Sequence, residues 1–149
     1  MIYDIAMITF NDIECVQKTL DNVRPYITGC FVVTDGGSTD GTLELLHNFQ
    51  KEVNSECGEE KVKIFDNKWP DSFDTQKNYS LDRCKNDWRV WIDADETYES
   101  LFWNQLPWYI DSAERNGVDC INIPRINTIT DLNPQQLYDL YLPEGRTSE

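Results

Sequence analysis

Apolar residues fill most positions from 3 to 10, broken by Asp4 and Thr9 and closed by Asn11-Asp12. A short apolar run bounded by turn residues predicts a buried strand. The spacing then changes. Ile13, Val16, Leu20 and Val23 recur at helical intervals with charge between them, so residues 13–23 predict an amphipathic helix. Asn11 and Glu14 have the spacing of a capping pair, and Pro25 and Gly29 close the segment. The alternation repeats along the chain. Residues 30–34 predict a second buried strand. Leu43, Leu46, Phe49 and Val53 mark a second helix capped by Ser38 or Asp40, followed by a polar loop over 54–60. Residues 62–65 predict a third strand. Asp74 is placed to cap a third helix on which Lys77, Leu81 and Cys84 share a face. Residues 88–92, aromatic and β-branched, predict a fourth strand. Phe102, Leu106, Ile110 and Ala113 predict a helix within 101–116, and Pro107 predicts that it starts late or kinks. Residues 118–123 predict a fifth strand closed by Pro124. Asn133-Pro134 opens a last helix with Leu137 and Leu140, before a loose polar tail over 143–149.

Strands alternating with helices predict an α/β fold with a mostly parallel sheet, as one domain over 1–149 with its core at about 3–125. Ligands of such sheets bind beyond the carboxyl ends of the strands. Polar residues collect at those ends here: Thr9 and Asn11, Asp35, then Asp93 and Asp95. The stretch Trp88-Arg89-Val90-Trp91-Ile92-Asp93-Ala94-Asp95-Glu96 is the sharpest case, an apolar strand that runs straight into acid. In an extended chain Asp93 and Asp95 point to the same side. Same-side carboxylates repel each other and favour a cation between them, and an oxygen-only donor set suits Mg²⁺ or Mn²⁺ better than zinc. A solvated acidic turn is the bland alternative. After the second strand, Gly36 and Gly37 allow backbone to approach a ligand closely, and Asp35 can accept from a base N–H or a ribose hydroxyl. A plain tight turn capping a helix is the alternative there. The dinucleotide Gly spacing and the phosphate-loop Lys are absent.

Charge and cysteine content narrow the partners. The 149 residues carry 27 acids against 13 bases, a net charge of −14, which argues against nucleic acid or an anionic membrane. With 40% hydrophobic residues the composition is that of a folded globule. Cys15, Cys30, Cys57, Cys84 and Cys120 are widely spaced and predict free, mostly buried thiols in a reducing compartment. No apolar run approaches membrane length and no basic leader stands at Met1, so a cytoplasmic protein is expected. One histidine, His47, leaves no material for a histidine-based metal site or a Ser-His-Asp triad.

Val32-Val33-Thr34-Asp35-Gly36-Gly37-Ser38-Thr39-Asp40-Gly41-Thr42 resembles the opening signature of family 2 glycosyltransferases with the GT-A fold. Gln76-Lys77-Asn78, then Asp87-Trp88 and Ile92-Asp93-Ala94-Asp95-Glu96, resemble its second half, in wording similar to the branch that includes lipopolysaccharide-core glucosyltransferases. The resemblance covers about residues 3–125. It implies a three-layer α/β/α GT-A-like domain and an inverting, metal-dependent transfer from a nucleotide-sugar donor, usually of uridine, to a glycan or other hydroxyl acceptor. By position, Asp35 would hold the base, Thr9 and Asn11 would line the nucleotide pocket, and Gly36 would pass close to it. Asp93 would contact ribose or metal, Asp95 would bind Mn²⁺ or Mg²⁺, and Lys77 would meet a phosphate. Many relatives carry a second Asp where this chain has Gly36. The family's general base lies well beyond the Asp-x-Asp strand. Only residues 96–149 follow Asp95, and Asp119, Asp131, Asp139 and Glu144 are the candidates there.

That short acceptor side keeps a second class of function open, a nucleotide-sugar-binding module or truncated transferase domain without efficient turnover. A homo-oligomer or a partner chain would be the way to complete it. A remote enzyme alternative is a haloacid-dehalogenase-like phosphatase, matched by Asp93-Ala94-Asp95-Glu96-Thr97. That family needs a downstream Lys, and Lys85 is the last lysine of this chain.

Overall fold

The computed structural model describes residues 1–124. Residues Met1–Asp119 form one compact unit, and residues 120–124 belong to a second. In chain order the elements are β1 (Asp4–Thr9), α1 (Ile13–Val23) with a 3₁₀ turn at Arg24–Tyr26, β2 (Phe31–Asp35), α2 (Thr42–Cys57), β3 (Val62–Asp66), α3 (Phe73–Leu81), β4 (Arg89–Asp93) and α4 (Ser100–Arg115).

The strands form one parallel sheet in the order β3-β2-β1-β4. β1 and β2 are buried at every position, which is why their middles read as apolar runs, with polar residues only at Asp4, Thr9, Thr34 and Asp35 toward the strand ends. Phe31 packs edge-on against Phe49 of α2, so α2 lies on the face that holds Phe31. The opposite face carries Ala6 and Val32, and packs against Cys84 and Leu81 at the end of α3. The result is a three-layer α/β/α arrangement. The strand order switches beside β1: β2 and β3 lie to one side of it and β4 to the other. The carboxyl ends on either side of that switch form the crevice where open α/β sheets take their ligands.

At the amino edge of the sheet, Asp4 is fully buried. Its Oδ1 accepts from the Cys30 N–H (2.6 Å) and Asn86 Nδ2 (2.7 Å), and its Oδ2 from the N–H groups of Lys85 (2.6 Å) and Asn86 (2.9 Å). Burial alone would raise this carboxyl. The N–H groups of Asn86, Cys30 and Lys85 and the Asn86 amide outweigh it and hold Asp4 below the ordinary value. One side chain thus ties the start of β1 to the start of β2 and to the loop before β4.

Several expectations need correction. Residues 118–123 form no strand: they follow Gly117, in left-handed conformation at the end of α4, and have no ladder partner among the described residues. Helix α2 continues through the expected loop to Cys57 and stops at Gly58, whose positive φ and N–H to Asn54 O make a left-handed cap. Ser72, not Asp74, caps α3 by accepting from the Thr75 N–H (3.3 Å). The buried face of α3 is polar, Gln76 and Ser80, because Gln76 exchanges amide bonds with Asn67 (2.7 and 2.8 Å) and Ser80 reaches Met7 O (3.3 Å). Helix α4 begins at Ser100 and runs through Pro107. All five cysteines are free, but only Cys84 is buried, and burial pushes its thiol up to about 11. No helix among the described residues is long and apolar enough to cross a membrane.

Candidate functional site

The register brings the predicted strand-end residues together. Thr9 is the cross-strand partner of Asp35, and Asp93 is the partner of Ile8, one residue before Thr9. Thr9, Asp35 and Asp93 therefore stand side by side at the carboxyl edge, on both sides of the switch beside β1.

Asp35 is fully buried, and its Oδ2 accepts from the N–H groups of Gly37 and Ser38, both at 2.7 Å. Its Oδ1 is buried without a hydrogen-bond partner, and so is the Thr9 hydroxyl. Buried polar atoms in folded proteins are nearly always paired, which makes two orphans on neighbouring strand ends notable; the Thr34 hydroxyl and Trp103 Nε1 are the other buried polar atoms without a partner among the described residues. Gly36 is buried between them: its N–H donates to Thr9 O (2.8 Å), and its carbonyl accepts from the Trp69 N–H (3.0 Å). A Cβ there would sit 3.3 Å from the Phe10 ring, a tight contact that the ring could accept only by giving way a few tenths of an ångström. Phe10 stacks on Trp69 (6.3 Å), which meets Phe73 edge-on (4.9 Å).

The loops after β1 and β2 are laced together. Asn11, with φ of 51°, donates its N–H to Ser38 Oγ (2.8 Å) and accepts the Thr39 N–H on Oδ1 (2.7 Å). Asn11 therefore builds the wall of the site. Asp40 reaches the first N–H of two helices, Ile13 of α1 (3.1 Å) and Thr42 of α2 (3.0 Å). The Thr42 hydroxyl above all, with these N–H groups, holds the Asp40 carboxyl below its ordinary value. The expected Asn11–Glu14 box is replaced, since Asp12 occupies the cap position of α1 and makes no side-chain cap bond. Asp40 was legible as a cap for α2, but its reach to α1 depends on tertiary structure.

The acidic segment is a turn, not an extension of the strand. β4 ends at Asp93, and the Glu96 N–H donates to Asp93 O (3.0 Å). The alternation that would align Asp93 with Asp95 stops there. Asp93 Oδ1 accepts from Trp91 Nε1 (2.8 Å), and the same indole carries Lys77 Nζ over its face at 4.3 Å. Asp95 is exposed and lies near the first turn of α1: the Cys15 thiol is raised mainly by its hydrogen bond to Asp12 and further by the charge of Asp95. Glu96 turns toward Tyr98, whose hydroxyl meets its Oε2 (3.4 Å) and Trp91 O (3.3 Å). Burial first, then the Asp93 charge, raises the Tyr98 phenol.

Among the described residues no group of three or more His, Cys, Asp or Glu is arranged to enclose a metal ion. Asp93 and Asp95 still fit Mg²⁺ or Mn²⁺ in its commonest nucleotide role, held by one or two carboxylates and completed by phosphate oxygens and water. A helix N-terminus often binds phosphate, yet Asp40 places a carboxylate at the starts of α1 and α2, and Ser72 caps α3.

Asp119 is exposed in irregular chain beyond α4, whose last turn lies by the amino edge of the sheet, where Trp88 Nε1 donates to Glu114 (2.9 Å). Asp131, Asp139 and Glu144 lie outside the described residues. Pattern reasoning missed Thr19, Asn22, Trp91 and Tyr98, which hold the acidic turn. Thr19 had a signal, a polar residue inside the buried arc of Val16, Leu20 and Val23.

Comparison with known proteins agrees with this geometry. The sequence model described as glycosyl transferase family 2 matches residues 4–147. The SPbeta prophage-derived glycosyltransferase SunS of Bacillus subtilis (strain 168) is 24% identical over 125 residues, 84% of this chain and 27% of that protein. Glycosyltransferase SunS of Bacillus phage SPbeta matches to the same extent. The chain thus spans about a quarter of the length of these curated relatives. In fold it is similar to S. aureus TarS, with a TM-score of 0.63 at 18% identity over 76% of this chain and 20% of that one. It is also similar to the mannosyltransferase PcManGT of Pyrobaculum calidifontis, solved in complex with GDP-Man and Mn²⁺, with a TM-score of 0.60 at 20% identity over 71% of this chain and 31% of that one. The fold of these neighbours is GT-A.

Proposed function

Because this chain belongs to glycosyl transferase family 2, we propose that it binds a uridine diphosphate sugar together with Mn²⁺ or Mg²⁺ and serves inverting transfer of that sugar to a hydroxyl acceptor. The observation that carries the donor site is the pair of orphaned buried atoms, Asp35 Oδ1 and Thr9 Oγ1, on partnered strand ends beside the switch. A buried carboxylate oxygen accepts an imide N–H, and a threonine hydroxyl can give or take a bond with a base carbonyl or a ribose hydroxyl. Asp35 is assigned to the base, Thr9 to the nucleoside, Gly36 to close backbone approach, and Asn11 to the wall.

The diphosphate belongs on the β4 side. The chain's net charge is −14 and the starts of α1 and α2 already hold the Asp40 carboxylate, so a dianionic ligand gains from a cation as it approaches Asp93 and Asp95. A divalent ion held there would offset the charge that grows on the nucleoside diphosphate as the sugar–phosphate bond breaks. Lys77, resting over Trp91, is assigned to a phosphate oxygen. The acceptor hydroxyl needs a general base on the far side of the sugar; Asp119 follows the end of α4 at the amino edge, which leaves Asp131, Asp139 and Glu144, outside the described residues, as the candidates.

Calorimetric titration with uridine and guanosine nucleotide sugars, with and without Mn²⁺, tests the donor assignment, and release or transfer of the sugar tests turnover. The expected result is binding of the uridine donor, strengthened by Mn²⁺. Binding of neither nucleotide would refute the reading, and preference for guanosine would refute the base. Binding without release or transfer under any acceptor would favour the binding-module alternative.

A further inference from the structure

We infer that Thr19 and Asn22 of α1 are positioning residues that hold the acidic turn in the shape the cation needs, an inference that rests on the metal-assisted reading above. The Thr19 side chain is 1% exposed. Its hydroxyl lies 2.7 Å from Ala94 O and 3.0 Å from Glu96 O, so a single proton is shared between the two carbonyls that flank Asp95. Three residues on, on the same side of the helix, Asn22 grips Tyr98 in both directions: its Nδ2 donates to Tyr98 O (2.9 Å), and its Oδ1 accepts the Tyr98 N–H (2.9 Å). The Tyr98 ring is fixed in turn against Phe102 (4.8 Å) and Trp103 (5.5 Å) of α4.

These contacts act on the backbone of a segment that resists its own shape. Asp93, Asp95 and Glu96 put three carboxylates within four residues, and their repulsion favours an opened turn. Thr19 draws the carbonyls of Ala94 and Glu96 toward the helix. Asp95, between those two carbonyls, is left exposed. A cation that binds only the closed turn has its apparent affinity reduced by whatever fraction of the chain is open. The clamp keeps that fraction small before any ligand arrives. α1 itself stays anchored by Val16, Leu20 and Val23, all fully buried, so loss of the Thr19 hydroxyl need not unfold it.

The test compares Thr19→Val, which keeps the shape and removes the hydroxyl, with Thr19→Ser, which keeps the hydroxyl, using the full chain. The readouts are Mn²⁺ titration in the presence of uridine diphosphate, uridine binding in metal-free buffer, and the melting temperature without metal. Thr19→Val is expected to weaken apparent Mn²⁺ affinity by roughly tenfold, the low end for loss of a group that orients a metal ligand, while uridine binding is unchanged. Thr19→Ser is expected to restore Mn²⁺ affinity. Asn22→Ala, at a half-buried position, should shift Mn²⁺ affinity in the same direction and decides the matter if Thr19→Val does not fold. A wild-type Mn²⁺ response in Thr19→Val, or equal weakening of uridine and Mn²⁺ binding, would overturn the positioning role and leave the metal reading intact. Absence of any Mn²⁺ effect in the wild-type chain would overturn the metal reading and this inference with it.

Discussion

Replacing Asp35 by Asn changes one atom at the centre of the proposed donor site and separates the two duties proposed for it. In the native chain Oδ2 accepts from the Gly37 and Ser38 N–H groups at 2.7 Å each, while Oδ1 is buried with no partner. An Asn side chain must choose which end faces those N–H groups. Its carbonyl oxygen goes there, because the opposite orientation would bring an NH₂ against two donors. The NH₂ therefore lands where Oδ1 was, and an acceptor becomes a donor. A base offering an imide N–H then meets another N–H. Losing a hydrogen bond to a charged acceptor costs about 1.5–3 kcal/mol, which is roughly 10- to 150-fold in Kd. The fold should hardly notice. The turn keeps its two bonds, weakened from charged to neutral, and the desolvation of a half-satisfied buried anion disappears. Titration calorimetry with uridine and uridine diphosphate in metal-free buffer, beside a thermal melt, measures both duties. The expected outcome is a large loss of affinity with a melting temperature within a few degrees of the wild type. Native affinity in Asp35→Asn would show that Oδ1 does not face the base. A collapse of the melting temperature would show that Asp35 serves the turn alone.

Asp95→Asn should abolish the Mn²⁺-dependent part of nucleotide binding and leave the metal-free melting temperature equal or higher, since it removes repulsion with Asp93 and Glu96; unchanged Mn²⁺ dependence would contradict the metal assignment. Trp91→Phe keeps a ring for Lys77 but removes the N–H that orients Asp93. It should raise the Mn²⁺ needed for half-saturation by up to about tenfold, and superimposable Mn²⁺ titrations would rule that orienting role out. Asp4 has a folded value below its ordinary one. Its contribution is therefore complete above the unfolded carboxylate value of about 4 and is lost as pH falls through the lower folded value. Asp4→Asn should lower the melting temperature at neutral pH and flatten its decline in acid, and a decline as steep as the wild type's would place the acid-sensitive group elsewhere.

Much of this fold can be read from the chain because a parallel sheet covered on both faces needs apolar residues at every strand position. β1 and β2 meet that need except toward their ends, at Asp4, Thr9, Thr34 and Asp35, and helix α1 shows its stripe of Val16, Leu20 and Val23. Pattern fails where polarity is satisfied by a particular partner. The buried face of α3 consists of Gln76 and Ser80, tolerated because Asn67 and Met7 O complete them, and no periodicity reveals such a pairing. Residues 118–123 look like a strand, yet a strand exists only by virtue of a neighbour to pair with. At the site, the residue types and strand ends were legible, but their adjacency depends on the strand order, which places β4 beside β1 rather than beside β3.

The aspartates show why composition could not finish the work. Asp4, Asp35, Asp40 and Asp95 look alike in a charge count, and what distinguishes them is how many donors reach each carboxylate. Asp4 has both oxygens filled, at the amino edge of the sheet, and so holds the architecture. Asp40 sits at the carboxyl edge, where a ligand could reach it, but its oxygens are engaged by the first N–H groups of two helices. Asp35 is filled on one oxygen and empty on the other, although fully buried. Asp95 stands exposed beyond the strand, its charge still felt at Cys15. Unfilled hydrogen-bonding capacity is costly when buried and repulsive when crowded with other carboxylates. The two aspartates that retain it are therefore the ones whose free energy a ligand can improve, Asp35 by an N–H and Asp95 by a cation. A nucleoside diphosphate accompanied by a divalent ion brings both in one species.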